Sequence, residues 1–172
     1  MWVIGKIENI NNGFEMKDLK VAILMGSKSD LPILEDAFKT LDEFGVGFTA
    51  RIMSAHRTPA EVAKFAQNAD KNGIKVIICA AGMAAHLAGV VASHTVLPVL
   101  GIPLASEPFN GIDSLLSMVH MPPGIPVGTV SAGKAGAKNS ALLAISILAL
   151  NDMALTGKLK KSREKQAANV VE

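Results

Sequence analysis

Five short clusters of small, polar and titratable residues punctuate the chain: GSKSD at 26–30, SAHRTP at 54–59, AAGMAAH at 80–86, PLASEPFNG at 103–111 and SAGKAGAKN at 131–139. The second holds the strongest chemistry, His56 beside Arg57. An imidazole exchanges a proton near neutral pH, and a guanidinium grips a phosphate or carboxylate through two parallel hydrogen bonds. In the first cluster Gly26 permits a tight turn, and Ser27, Ser29 and the N–H groups of a following helix suit a phosphate. The same residues serve equally well as a plain helix start, with Ser29 or Asp30 as cap and Pro32 in the first turn. Asp30 in that position also suits hydrogen bonds from ribose hydroxyls. In the third cluster Gly82 and Ala84-Ala85 let a ligand approach the backbone, and His86, expected one turn into a helix, either donates to that ligand or caps and packs.

Side chains this far apart in sequence act together only if the fold gathers them. Continuous apolar runs ending at the clusters predict strands buried on both faces at 21–25, 48–53, 76–80, 99–102 and 127–130. Helical spacing predicts helices at 30–44, 59–72, 84–93, 111–119 and 137–151, the first with Leu31, Leu34, Phe38 and Leu41 on one stripe. Thr58-Pro59-Ala60-Glu61 matches a capping box for the second helix, a role that does not call for His56 or Arg57. Strands alternating with helices imply right-handed crossovers and one parallel sheet. The fold expected is therefore α/β, a flavodoxin-like three-layer sandwich with a five-stranded parallel sheet. All five clusters then lie along the carboxyl edge of the strands, where open α/β sheets bind ligands. Residues 1–15 fall outside the pattern and read as an N-terminal extension adding little to the core. Residues 16–155 read as the catalytic domain, and 156–172 as a basic C-terminal helix or tail.

Composition narrows the function classes. The chain has 172 residues, 49% of them hydrophobic, enough for one packed core. Its formal charge of +2 is confined to the end, because residues 156–172 hold five basic and two acidic residues and the rest holds 12 against 13. A charge so placed indicates a solvated tail rather than a nucleic-acid surface. The single cysteine, Cys79, sits in the apolar run VIICA and reads as a buried strand residue, consistent with a reducing cytoplasm. The N-terminus has no secretory-signal pattern, and the most apolar window, 141–150, is about half the ~20 residues that span a bilayer. The expectation is a cytoplasmic protein without nucleic-acid or membrane partners.

Two motifs are near-misses. Gly128–Ala135, GTVSAGKA, has the core of a triphosphate-binding loop, but Ala135 stands where a magnesium-ligating Ser or Thr is needed and the first glycine falls in a strand. Gly45-Val46-Gly47 lacks a third glycine and precedes a strand, which excludes a dinucleotide fingerprint. His56, His86, His94 and His120 match no compact metal motif, and no Cys, Asp or Glu cluster joins them, so no metal is expected.

The segments MGSKSD, SAHRTP, AAHLAG, PVLGIP, GIDSLLSMV, MPPGIPVGTV and NSALLAISIL occur in this order over about residues 19–155. The chain thereby resembles the 5-(carboxyamino)imidazole ribonucleotide mutases of purine (IMP) biosynthesis, the catalytic subunits of phosphoribosylaminoimidazole carboxylase. The resemblance implies an isomerase without cofactor that moves a carboxylate from the exocyclic nitrogen of its ribonucleotide substrate to ring carbon 4. It implies that Ser27, Asp30 and Arg57 hold the ribose phosphate portion and that His56 is the general acid and base. Ser54 and His86 match further site-lining positions. It also implies a homo-octamer, and a substrate made by a separate ATP-dependent synthetase; whether the two proteins touch transiently is left open. Met83 stands where a second glycine is common, Ala88 where a proline is common, and His120 where glutamine often precedes Met-Pro. Two rivals remain: a carboxylase using dissolved carbon dioxide, in which lysine tends to follow the histidine, and a phosphosugar-binding module without catalysis.

Overall fold

The computed structural model describes residues 3–5, 9–11, 15 and 18–171, with the backbone alone at 3–5, 9–11 and 171. The strands are β1 (Val3–Gly5), β2 (Asn9–Asn11), β3 (Leu19–Met25), β4 (Gly47–Ile52), β5 (Val76–Ala81), β6 (Val99–Pro103) and β7 (Gly128–Thr129). The helices are α1 (Leu31–Phe44), α2 (Pro59–Asn68), α3 (Leu87–Ser93), α4 (Ile112–Val119), α5 (Gly133–Ala149) and α6 (Met153–Val171). Strand order is β1-β2-β4-β3-β5-β6-β7. The five strands from β3 to β7 are parallel in the flavodoxin-like order expected from the alternating pattern. Two short antiparallel strands join this sheet at its β4 edge: β1 pairs with β2, and Asn9, Ile10 and Asn11 pair with Arg51, Ala50 and Thr49. The extension thus enters the sheet, which has seven strands among the described residues.

The period-2 alternation of a strand explains why the parallel strands read as unbroken apolar runs. Val21, Ile23 and Met25 face one core layer with Phe48, Ile78 and Ile102, closed by Leu34, Phe38 and Leu41 of α1 and Ala137, Ala141 and Ile145 of α5. Ala22 and Leu24 face the other with Ile77 and Cys79, closed by Val62 and Ala66 of α2, Leu87 and Val91 of α3 and Met118 of α4. The Phe38 and Phe48 rings stack with centroids 5.3 Å apart and planes 10° apart, pinning α1 to β4. Truncating a ring of this kind costs about 3–5 kcal/mol. Burial pushes the Cys79 thiol up, which keeps it protonated and unreactive.

Helix boundaries depart from the sequence reading where local hydrogen bonds decide them. α1 is preceded by a 3₁₀ turn at Lys28–Asp30, and α3 begins at Leu87 rather than Ala84. α2 stops at Asn68, short of Asn72, and the chain turns through Gly73 at φ 87°. α5 starts at Gly133, four residues earlier than its apolar stripe suggests, and the last parallel strand shrinks to Gly128–Thr129. The basic tail is helical in α6. Leu155 is buried, Leu159 packs on the first core layer, and Lys158 Nζ donates to Phe44 O at 2.6 Å, a cation set against the carboxyl end of α1.

Candidate active site

The carboxyl edge of β3, β4, β5 and β6 carries a chain of contacts that ties four of the five clusters together. After β3, Asp30 holds the N-cap position of α1 without a side-chain cap bond, and Ser27 caps the 3₁₀ turn before it. Its N–H donates to Asp30 Oδ2 at 3.0 Å, while its Oγ accepts from Ser29 N at 3.3 Å and from Ser29 Oγ at 2.9 Å. This reciprocal box uses two backbone donors that the sequence had offered to a phosphate, because a start so close to the strand end must satisfy its own N–H groups. Burial raises the Asp30 carboxyl above its usual range. Hydrogen bonds from Ser27, Ser29 and Gly26, and the charge of Arg57, act the other way and are weaker.

After β4, the capping box expected of Thr58 and Glu61 does not form. Thr58 is at the N-cap of α2 with Pro59 at the first helical position, but its side chain caps no helical N–H. Instead Thr58 Oγ1 accepts from Ser54 N and donates to Ser54 O, both at 3.0 Å, which closes SAHRT into a compact turn. A hydroxyl reaching back four residues outcompetes the cap because the loop, not the helix, has the nearer unpaired groups. Ser54 Oγ in turn accepts from Arg57 N at 3.2 Å and from Arg57 Nε at 3.4 Å. Arg57 Nη2 then crosses to the β3 loop and donates to Gly26 O at 2.7 Å. The guanidinium is thereby fixed over the junction of two loops, and Nη1 makes no hydrogen bond among the described residues.

The turn after β4 also throws His56 outward toward the loop after β5. His56 Nε2 lies 2.8 Å from His86 Nδ1, with ring centroids 4.9 Å apart and planes at 71°. His86 is the N-cap residue of α3 rather than a residue one turn inside it, so its ring stands free of the helix and at the sheet edge. Both imidazoles are solvent-accessible. Gly82, in the same loop, is tight: a Cβ there would meet Leu104 O at 3.3 Å and Ser106 Oγ at 3.6 Å. Met83 takes a left-handed backbone, φ 57°, and its N–H donates to Ser106 Oγ at 3.2 Å. Ser106 is a site-edge residue that sequence reasoning named only within its cluster; its place three residues past a strand end was the available signal.

The structure therefore brings together Ser27, Ser29, Asp30, Ser54, His56, Arg57, Gly82 and His86 on the edges of β3, β4 and β5, which include the crevice where the strand order reverses. The cluster after β7 forms no side-chain hydrogen bond to the other four among the described residues. Ala132 and Gly133 there open α5 without a side-chain cap. His94 and His120 end α3 and α4 at the opposite edge of the sheet, away from the site. Ala88, where proline is common, is fully buried in the first turn of α3, and His120 ends α4, so both departures touch helix ends rather than the site. Among the described residues no group of three or more His, Cys, Asp or Glu side chains is placed to hold a metal ion. No described helix is long and apolar enough to cross a membrane.

Comparison with known proteins agrees with this geometry. The family model described as AIR carboxylase matches residues 20–169. The chain is 53% identical over 145 residues to the N5-carboxyaminoimidazole ribonucleotide mutase of Pyrococcus abyssi, covering 84% of this chain and 82% of that one. It is 50% identical over 156 residues to the protein of the same name from Haemophilus influenzae, covering 91% and 95%. The crystal structure of Treponema denticola PurE superimposes with a TM-score of 0.79 at 32% identity, covering 88% and 93%. With a match over most of its length, the chain belongs to the AIR carboxylase family of enzymes.

Proposed function

We propose that the protein is an isomerase of purine (IMP) biosynthesis that converts 5-(carboxyamino)imidazole ribonucleotide to 4-carboxy-5-aminoimidazole ribonucleotide. The observation that carries this reading is the convergence of His56 with the anchored Arg57 at the carboxyl edge of the sheet. One group supplies proton exchange, the other a phosphate contact, and the relatives of about 50% identity carry the mutase name.

In this reading Arg57, with Ser27, Ser29 and Asp30, holds the ribose phosphate portion, and Ser54 fixes the guanidinium. Gly82 and the loop it opens lie against the base. The carbon–nitrogen bond to the carboxylate breaks, its electron pair stays on the exocyclic nitrogen, and His56 supplies the proton that nitrogen takes. Carbon dioxide is held in the closed site, and the electron-rich ring carbon attacks it. His56 then removes the proton from that carbon, and the C–H electron pair restores aromaticity. Holding carbon dioxide beside the carbon is a proximity effect, which in favourable cases supplies ~7–11 kcal/mol. The aminoimidazole is its own nucleophile, so the steps draw on no cofactor and no metal.

The protein is further read as a cytoplasmic homo-octamer that receives its substrate from the ATP-dependent synthetase, with transient contact between the two left open. Large apolar side chains stand exposed on α4 and before it, at Phe109, Ile112, Leu116 and Val119, at Leu150 just after α5 and at Met153, the first residue of α6. Surface of this kind supports burial against further copies. On α5, Ala137, Ala141, Ala144 and Ile145 are buried in the core, whereas Leu142, Leu143, Ile147 and Leu148 are only partly buried.

Incubation of the protein with the carboxyamino ribonucleotide, without ATP or added bicarbonate, tests the reading. Rapid formation of the carbon-linked product is expected. Turnover only of the decarboxylated ribonucleotide with bicarbonate would make the protein a carboxylase instead, a reading against which Arg57, in place of lysine after the histidine, stands. Affinity without turnover would make it a binding module.

A further inference from the structure

The contact between His56 Nε2 and His86 Nδ1 restricts where protons can sit. At 2.8 Å two imidazole nitrogens form a hydrogen bond only if one carries a proton and the other a lone pair. The neutral pair satisfies this in either direction, and so does the pair with one extra proton. A second extra proton would set N–H against N–H and break the contact, so an intact pair holds at most one positive charge. Nearby charged groups are occupied elsewhere. Arg57 is tied to Gly26 O and Ser54 Oγ, and Asp30 to Ser27 N, and neither contacts an imidazole among the described residues. The His86 side chain caps no helical N–H of α3.

We propose that His56 and His86 work as one proton-holding unit, in which His86 is the positioning and storage partner for the proton that His56 exchanges with substrate. The proposal rests on the mutase reading and deepens it. That reaction delivers one proton to the exocyclic nitrogen and later removes one from the ring carbon, so its proton balance is zero. A pair limited to one extra proton matches this demand. It starts singly charged and releases the proton as the carbon–nitrogen bond breaks. The neutral pair then takes the ring-carbon proton and ends as it began. Because His86 can share the charge, His56 need not hold a full imidazolium alone before the carbon–nitrogen bond breaks or after the ring carbon has given up its proton.

The test uses the full-length protein with ¹⁵N-labelled histidine. A coupling between the two nitrogens across the hydrogen bond is expected in the unliganded wild type, and its loss in both His56→Asn and His86→Asn assigns it. Asparagine at position 86 can still hydrogen-bond to His56 but cannot carry the proton. In turnover of the carboxyamino ribonucleotide, His86→Asn should therefore lose about 100-fold or more in kcat while KM stays within about threefold. Absence of the coupling in wild type overturns the proposal, as does an unchanged kcat or a loss confined to KM in His86→Asn. If wild type makes no carbon-linked product, the mutase reading fails, and the coupling alone then decides whether the pair holds its proton jointly.

Discussion

Met83 offers a perturbation whose sign can be worked from the backbone. Its φ of 57° lies in the left-handed region, and its side chain is 64% exposed, so the residue holds a strained backbone without a compensating burial. Left-handed backbone costs an L-residue about 1–2 kcal/mol, a cost that glycine escapes. Glycine in turn loses about 0.5–1 kcal/mol more than other residues in chain entropy on folding. Met83→Gly should therefore stabilise the protein by about 0–1.5 kcal/mol. For a chain of this length that is a rise of up to roughly 5 °C in Tm. Met83→Ala keeps the Cβ and hence the strain, and should leave Tm nearly unchanged. Thermal unfolding of the three proteins at one protein concentration reads both effects. The Met83 N–H to Ser106 Oγ bond uses the backbone, so both variants should retain turnover within a few-fold. A fall of more than about 1 kcal/mol in Met83→Gly, or an equal gain in Met83→Ala, would refute the strain argument.

His56→Asn should lower kcat at least about 100-fold while the product ribonucleotide still binds, checked by calorimetry beside the turnover assay; retained turnover would contradict the proton role. Arg57→Ala removes the proposed phosphate donor, a charged contact worth about 1.5–3 kcal/mol, so ligand affinity should fall roughly 10- to 150-fold with folding intact by circular dichroism. Asp30 makes a prediction in pH. Its folded carboxyl is raised, mainly by burial, so whatever stability it contributes is present below the unfolded carboxylate range and is lost as pH rises through the raised folded value. Asp30→Asn should accordingly flatten the pH dependence of stability on the acid side without lowering stability at neutral pH, as denaturant titrations across pH 3–7 would read; a neutral-pH loss would mean the charged form is favoured. Deleting residues 1–15 removes β1 and β2 from the β4 edge and should lower Tm by only a few degrees with activity retained; a large fall would make those strands part of the folding unit.

The parallel sheet was legible because strands buried on both faces must be apolar at every position, so VAILM and VIICA could not be surface segments. The two antiparallel strands were not legible. Three residues with Asn at both ends, NIN, carry no burial period, and their pairing is fixed by the open β4 edge rather than by their own sequence. Capping was misread in both loops for one reason. Thr58 and Ser27 each had several partners within reach, and sequence spacing does not rank them, whereas the turn geometry does.

The sequence by itself determined that five polar clusters follow five strands, and with that their common edge and the candidate roles of His56 and Arg57. Only the tertiary structure decided which clusters touch. His86, 30 residues beyond His56, meets it because β3 lies between β4 and β5 and the loops of its two neighbours lean across it. Arg57 is fixed by Gly26 O, a backbone atom whose direction no side-chain pattern reports. A hydrogen bond requires a distance and an angle to within a few tenths of an ångström, and those are set by how strands order and helices pack. Residue types name the chemistry available, and packing chooses the partners.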